Sequence, residues 1–367
     1  MKQLLLFLFV VCATNLHAKN YYVSASGNDA NDGLTTATAW KSIAKVNSFT
    51  FAANDHILFN RGDVFNGAIR ANRSSLFFEA YGSGSNPLIS GLSTVSSWTN
   101  VGGNIWESNV LGAKAGVDIV TVNGEQKAPG RYPNTGYLTY QSSTSTSYTA
   151  SALPASPSFT GGECVSRKER WIMDRQSISS HSGTTLNVSS TTSGYGGKNN
   201  AGLFIQKHVN TLDVQGEWVF TASTGKLKMY GTSTPGTTKI CVLDTIFSVS
   251  NYSNITIDGL AFEGGGYATI LTDDANTVNI RNCIIRNAGQ YGIRIANTPG
   301  ITIDNNQIYD ASVKLMIFMV VIGFIFAITL GIIISRMISI KLKNILLFAD
   351  ALSEGDLRER INVVSKD

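Results

Sequence analysis

The chain carries a formal net charge of only +4 over 367 residues and only four cysteines. No basic stripe with interleaved aromatics occurs, which argues against nucleic acid as the partner. Cys12 falls in the N-terminal apolar run, and the three widely spaced cysteines beyond it make no CxxC pair and no even framework, so redox motifs, zinc knuckles and disulfide scaffolds are not expected. Cys164, Cys241 and Cys283 are expected to be small buried hydrophobes. A single disulfide stays open as an alternative outside the cytoplasm.

What is present changes abruptly along the chain. Residues 20–312 are rich in Gly, Ser, Thr and Asn with regularly spaced β-branched residues, whereas 313–352 are rich in Ile, Leu, Met and Phe. At the N-terminus, Lys2 precedes the apolar run Leu4–Cys12, and "NLHA" offers cleavage after Ala18. That run is too short to span a bilayer, so residues 1–18 are expected to be a secretory signal peptide. Leu16 is larger than such a cleavage site prefers.

The strongest internal signal is a repeat. "ITIDGLAF" begins at Ile255, "VNIRNCII" at Val278 and "ITIDNNQI" at Ile301, 23 residues apart each time. Each unit alternates apolar and polar residues, as a strand with one buried face should. Gly259, Asn282 and Asn305 follow at the same place in each unit, and these types tolerate a left-handed backbone. Further strands, "YATILT" and "YGIRIA", recur about one repeat apart. A period in the low twenties with several short strands marks a parallel β-helix. Ile255, Val278 and Ile301 should stack in one column, and Ile257, Ile280 and Ile303 in another. A β-sandwich would use similar strands but would not explain two equal intervals.

Upstream, "NYYVSASGNDANDGLTTATAWKSIAKV" predicts a strand, a polar turn and a short amphipathic helix carrying Trp40, Ile43 and Val46, able to cover the first coil's edge. "DHILFNRGDVFNGAI" predicts strand, turn and strand. Residues 101–245 are expected to be insertions on the coils, with "SSTSTSYTASALPASPS" as a loop.

Together with "FFEAYGSGSNPLISG", "VNGEQKAPGRYPNTGYL" and "NTLDVQGEWVFTASTGKLKMY", these stretches resemble secreted right-handed parallel β-helix proteins of the pectate-lyase-like, polysaccharide-processing class. Ala39 stands where that family usually has proline. The resemblance implies an all-β right-handed parallel β-helix ectodomain over 19–312, incomplete at its last coil, and an acidic polysaccharide partner. It also implies lyase or glycosidase chemistry, with Ca²⁺ as a cofactor of the lyase type. The last unit is expected to stop after "NNQIYDAS" without a cap.

Leu315–Ile334 holds no charged residue, and 20 residues at about 1.5 Å each match the hydrocarbon thickness of a bilayer. A transmembrane helix is therefore expected over 313–335. Arg336, Lys341 and Lys343 place its C-terminal side in the cytoplasm. The expected location is the cell membrane, single-pass, with the N-terminal domain outside. Ile338, Leu342, Ile345, Ala349 and Leu352 follow a heptad seam and suggest a weak homodimer. With "EGDL" after it, residues 336–367 resemble the first half of the HAMP linker of methyl-accepting chemotaxis receptors. That resemblance implies signal transduction, though the sequence given holds no output module. Lys341 stands where that family usually has proline.

Candidate site residues are few. Asp273 and Asp274 form a carboxylate pair of the kind glycosidases need, but neighbouring strand residues point to opposite faces, so both reach one sugar only across a bend. The Gly-His-Gly of the polygalacturonase pattern is missing nearby. Arg281, Arg286 and Arg294 fall in successive strands and could hold an acidic glycan, or be solvated outward residues. His208 could be a base or structural, and Glu217–Trp218 reads as packing at a turn. Three functional readings stay open: a β-helix fragment joined to a receptor fragment without joint function, a membrane-anchored polysaccharide binder or enzyme, and a truncated glycan-sensing receptor.

Overall fold

The computed structural model describes residues 18–110, 117–190 and 193–309. Three parallel sheets form the body, each strand pairing with its equivalent one coil away. The first face stacks Asn20–Val23, His56–Asn60, Leu76–Tyr81, Ser253–Asp258, Asn276–Arg281 and Thr302–Asp304. The second stacks Val64–Asn66, Leu88–Ser90, Ala261–Glu263, Ile284–Arg286 and Gln307–Tyr309. The third stacks Ile69–Arg70, Leu243–Ser250, Gly265–Asp273 and Tyr291–Ala296. This is a three-sided β-helix.

The 23-residue period sets the register. Ile255 pairs with Val278, Ile257 with Ile280, and Ile280 with Ile303. Ile255, Ile257, Val278 and Ile280 are wholly buried, while Ile301 packs at the margin of the same core. The corners between first and second faces are made by Gly259, Asn282 and Asn305, at φ of +70°, +53° and +50°. There the side chains also bond from coil to coil. Asn305 Nδ2 donates to Asn282 Oδ1 at 2.6 Å, and Asn282 Nδ2 donates to Asp258 Oδ1 at 2.8 Å. Asparagine therefore supplies both the left-handed backbone and a ladder along the edge. In the last described coil the column is open. Ile303 and Ile308 are 45% and 49% exposed.

The first coil is closed by a cap. The helix spans Ile43–Ser48, with Ser42 as its N-cap and Ile43 and Val46 buried. Trp40 lies before it, contrary to the sequence reading. Its backbone forms a parallel bridge to Val23 and its ring stacks on Tyr21 at 5.0 Å. Asp29 accepts from the amides of Lys41 and Ser42 and from the Ser42 hydroxyl, which ties the preceding turn to the helix. A polar loop can thus cover an apolar coil end.

The coil from Ile69 to Ser250 is interrupted. Strand Leu76–Tyr81 pairs directly with Ser253–Asp258, and Leu88–Ser90 with Ala261–Glu263. Residues 91–242 therefore leave the coil after the second face and return at the start of the third. Their strands pair mostly antiparallel, and they bury two further cores. One holds Tyr140, Tyr148, Phe159 and Ile205; the other holds Val120, Trp218, Leu227 and Ile240. The serine-rich stretch read as a loop contains Ser142–Ser143 and Ser147–Thr149 as strands. Tyr148 anchors it, fully buried. Lys168 is also fully buried and donates to the Tyr148 hydroxyl, which bonds Ser166 and Gln176 in turn. Burial lowers the pKa of Lys168 and raises that of Tyr148. Cys164, Cys241 and Cys283 are free and buried.

Gly91, where the insertion leaves, has no room for a side chain. A Cβ there would stand 2.3 Å from Ile246 Cδ1 and 2.8 Å from the Gly264 carbonyl oxygen. Such distances require backbone movement, so glycine sets how closely the insertion's root lies against the coils.

Among the described residues no helix is long and apolar enough to cross a membrane. The expected span 313–335, the HAMP-like linker 336–367 with its Ile338, Leu342, Ile345, Ala349 and Leu352 seam, and residues 1–17 of the expected signal peptide lie outside them.

Candidate functional site

The three arginines do not converge. Arg281 lies on the first face, where its Nε donates to Asp258 Oδ2 at 2.8 Å. Arg286 lies on the second, bonded through Nε to Glu263 Oε2 at 3.0 Å. Arg294 lies on the third, with its guanidinium 5.5 Å from the Tyr267 ring centre and 5.9 Å from that of Tyr291. Closeness in sequence misleads here, because consecutive strands of one coil occupy different faces. Residues a whole period apart are the ones that meet.

Asp273 ends a third-face strand, and Asp274 sits in the corner beyond it at φ +47°. The bend that a joint role requires is thus present. Asp273 is half-buried and Asp274 exposed. Neither lines the clefts described below.

His208 caps a short turn. Its Nδ1 accepts from the Asn210 amide at 3.1 Å in a short turn, and burial holds its pKa below the ordinary histidine value. Glu217 caps the turn before Trp218, accepting from the amides of Asp213 and Val214 at 3.0 Å each. Burial raises its pKa against those two bonds. The Trp218 indole N–H donates to the Lys127 carbonyl at 2.8 Å. The packing role read for this pair is what the geometry shows.

The root of the insertion creates the concave surfaces. Emerging between two faces, it leaves a cleft on each side. The cleft against the third face is about 370 Å³ and is lined by Asp118, Asp244, Gly266, Tyr267 and Gln290. Asp118 belongs to the insertion and is half-buried; its amide donates to Cys241 Sγ at 3.4 Å. Asp244 opens a third-face strand and is exposed. Gly266, which lines this cleft, packs so tightly against Gly289 that a Cβ on Gly289 would stand 2.1 Å from the Gly266 carbonyl oxygen. Tyr267 forms the wall, its ring packed edge to face with that of Tyr291, centroids 5.6 Å apart.

A smaller pocket of about 150 Å³ adjoins it, shares Asp118 and Gln290, and adds Trp218, Arg175 and Lys207. Both cations pair with Glu163, at 3.5 Å and 3.3 Å. Gln206 donates to the same carboxylate at 2.5 Å. Two carboxylates from distant segments, with aromatic and amide neighbours, suit recognition of a hydroxyl-rich ring and acid–base chemistry on it. Sequence reasoning missed this pair. Asp118 and Asp244 belong to no repeat, and only the return of the insertion brings them to one cleft.

Among the described residues, no three His, Cys, Asp or Glu side chains gather in an arrangement able to hold a metal. The Ca²⁺ implied by the lyase resemblance thus has no cluster of carboxylate donors among those residues.

Comparison with known proteins supports the fold. A family model, the right handed beta helix region, matches residues 242–327. That match includes the three repeat units and runs on through Leu315–Ala327, within the expected membrane span. Among solved structures, a glycoside hydrolase is 14% identical, with a TM-score of 0.56, over 74% of this chain and 63% of that one. XylC in complex with xylose is 13% identical, with a TM-score of 0.42, over 79% and 54%. The GH136 lacto-N-biosidase from Eubacterium ramulus is 13% identical, with a TM-score of 0.33, over 78% and 34%. This chain spans less than two thirds of each of these proteins. No curated protein matches it. The fold is a right-handed parallel β-helix. None of these matches supports the chemoreceptor resemblance of residues 336–367.

Proposed function

We propose that the protein is a carbohydrate-active β-helix that binds a polysaccharide in the cleft between its insertion and its third face and hydrolyses a glycosidic bond there. The observation that carries this reading is the pair Asp118 and Asp244, facing one cleft walled by Tyr267. Glycoside hydrolysis needs two carboxyl groups. One protonates the departing oxygen, and the other activates water or attacks the anomeric carbon. The aromatic wall offers a sugar its apolar face, and the Gln290 amide offers hydrogen bonds. A solved relative described as a glycoside hydrolase shares the fold, which is compatible with this chemistry but does not carry it.

The expected anchor at 313–335 would hold this activity at the cell surface and would add no chemistry. The hydrolytic reading stands without it. Fractionation of expressing cells, with and without detergent, tests the anchor separately.

The direct test is release of reducing ends from a panel of plant, algal and bacterial polysaccharides. Wild-type protein should act on at least one. Asp118→Asn and Asp244→Asn should each abolish that activity while leaving the folded state intact. Activity that survives both substitutions would sink the assignment. Products with an unsaturated non-reducing end, seen by ultraviolet absorbance, would replace hydrolysis with lyase chemistry.

A further inference from the structure

The opposite side of the insertion's root carries a second cleft of different character. Two adjoining cavities of about 550 and 360 Å³ run between the second face and the insertion, sharing Val64, Leu92 and Lys239. The charged residues lining them are Lys239, Glu263 and Arg286. Glu263 is 5% exposed, and both its oxygens are engaged. Ser90 donates to Oε1 at 2.9 Å, and Arg286 Nε to Oε2 at 3.0 Å. The buried carboxylate therefore fixes the guanidinium by one edge. The two terminal nitrogens of Arg286 make no hydrogen bond with the described residues. Lys239 sits on Thr238–Cys241, the strand between Leu92–Thr94 and Val120–Val122, opposite Thr94 and Thr121. Its side chain lines both cavities and makes no ion pair or hydrogen bond with the described residues. The cleft thus holds two cations against one anion, and that anion is already occupied.

We propose that this second cleft binds an anionic glycan segment, with Lys239 and the free side of Arg286 gripping its carboxylate or sulfate groups. The amides of Asn66, Asn123 and Asn287 along the same walls match sugar hydroxyls, and Val64, half exposed, and Leu92 give an apolar shelf for a ring. A guanidinium held by its Nε edge is pre-organised, so little side-chain entropy is lost when its terminal nitrogens take an anion. The carboxylate lining this cleft, Glu263, is engaged on both oxygens, so the cleft's role is to hold a chain rather than cut it. The site does not depend on hydrolysis in the other cleft.

The test is calorimetric titration of the full-length protein with three probes: hexagalacturonate, a sulfated carrageenan hexasaccharide and neutral maltohexaose. An anionic probe should bind in a salt-sensitive manner, and maltohexaose should not compete with it. Lys239→Met keeps the aliphatic stem and should weaken binding about tenfold, the loss expected for one charge-assisted contact. Lys239→Glu should weaken it further, and Asp244→Asn should leave it unchanged. Preference for hexagalacturonate identifies a uronate site, and preference for carrageenan a sulfate site. Failure of both anionic probes to bind overturns the proposal. So does binding of equal strength in wild type and Lys239→Glu. Because the Lys239 side chain has no hydrogen bond or ion pair with the described residues to lose, both variants should melt as the wild type does, which separates a binding loss from a folding loss.

Discussion

The two clefts share one insertion and almost nothing else. Against the third face the root presents Asp118 opposite Asp244, with Tyr267 beside them. Against the second it presents Lys239 opposite an Arg286 already aimed by Glu263. One cleft gathers two aspartates beside an aromatic ring, the other a lysine and an arginine beside a buried, engaged glutamate. A β-helix coil by itself is a regular, nearly featureless surface. A single excursion from one coil gives it two concave sites of opposite chemistry, because an excursion at a corner borders two faces at once.

The sharpest way to break that division is to remove the acids. Asp244→Asn or Asp118→Asn should reduce hydrolysis by about 10²–10⁴-fold, the usual contribution of a general acid or base. Binding in the basic cleft should stay as it was. Reducing-end release and calorimetry on the same samples check both halves. A loss of both functions in either variant would mean that the clefts act as one site.

The next effect concerns glycine. Gly289→Ala pushes a methyl into the Gly266 carbonyl, and Gly91→Ala pushes one into Ile246 and the Gly264 carbonyl. Each should cost about 1–3 kcal/mol by overpacking, seen as a lowered urea midpoint. Their functional signatures should differ. Gly289→Ala displaces Gly266, which lines the acidic cleft, and should impair hydrolysis first. Gly91→Ala displaces the wall of the basic cleft and should impair anion binding first.

How far the sequence discloses all this depends on periodicity. Gly259, Asn282 and Asn305 repeat at a fixed interval and carry a backbone requirement, so corners, register and core columns can be read from them directly. Trp40 has no such period; its bridge to Val23 is a tertiary fact, and helical spacing alone put it on the wrong element. The arginines illustrate the opposite error. Arg281, Arg286 and Arg294 look clustered, yet a coil turns through three faces in one repeat and disperses them. Asp118 and Asp244 look unrelated, and the loop closure of residues 91–242 joins them. A long insertion erases the sequence signal of whatever it brings together, since the residues involved follow no common spacing.

A smaller effect comes from the buried pair that arms the basic cleft. Glu263→Gln removes the charge that holds Arg286 while keeping an oxygen for Ser90 or for Arg286. Stability should fall by about 1–3 kcal/mol, as for a lost charge-assisted bond to a buried group. Anion affinity should fall less than in Lys239→Met, because the guanidinium stays in the cleft with one constraint fewer. Hydrolysis should not change. If Glu263→Gln instead tightens anion binding, then Glu263 competes with the ligand for Arg286 and does not position it.

The smallest expected effect is one of pH, and it belongs to the acidic side. Glu217 holds the turn that presents Trp218 to the smaller pocket, and burial raises its pKa above the ordinary glutamate value. A carboxyl whose folded pKa lies above its unfolded one binds its proton more tightly in the native state. Its contribution is therefore fully present below the unfolded pKa and is lost as pH rises through the folded one. Stability should then decline slightly with rising pH just above the ordinary glutamate range. Glu217→Gln keeps an acceptor for the Asp213 and Val214 amides and carries no charge at any pH, so that decline should vanish. Urea unfolding followed by tryptophan fluorescence at a series of mildly acidic pH values measures the difference. A decline of the same size in the variant would place its origin elsewhere. Lys239→Met changes the other cleft and leaves the Glu217 turn intact, so it should keep the wild-type decline and serve as the control.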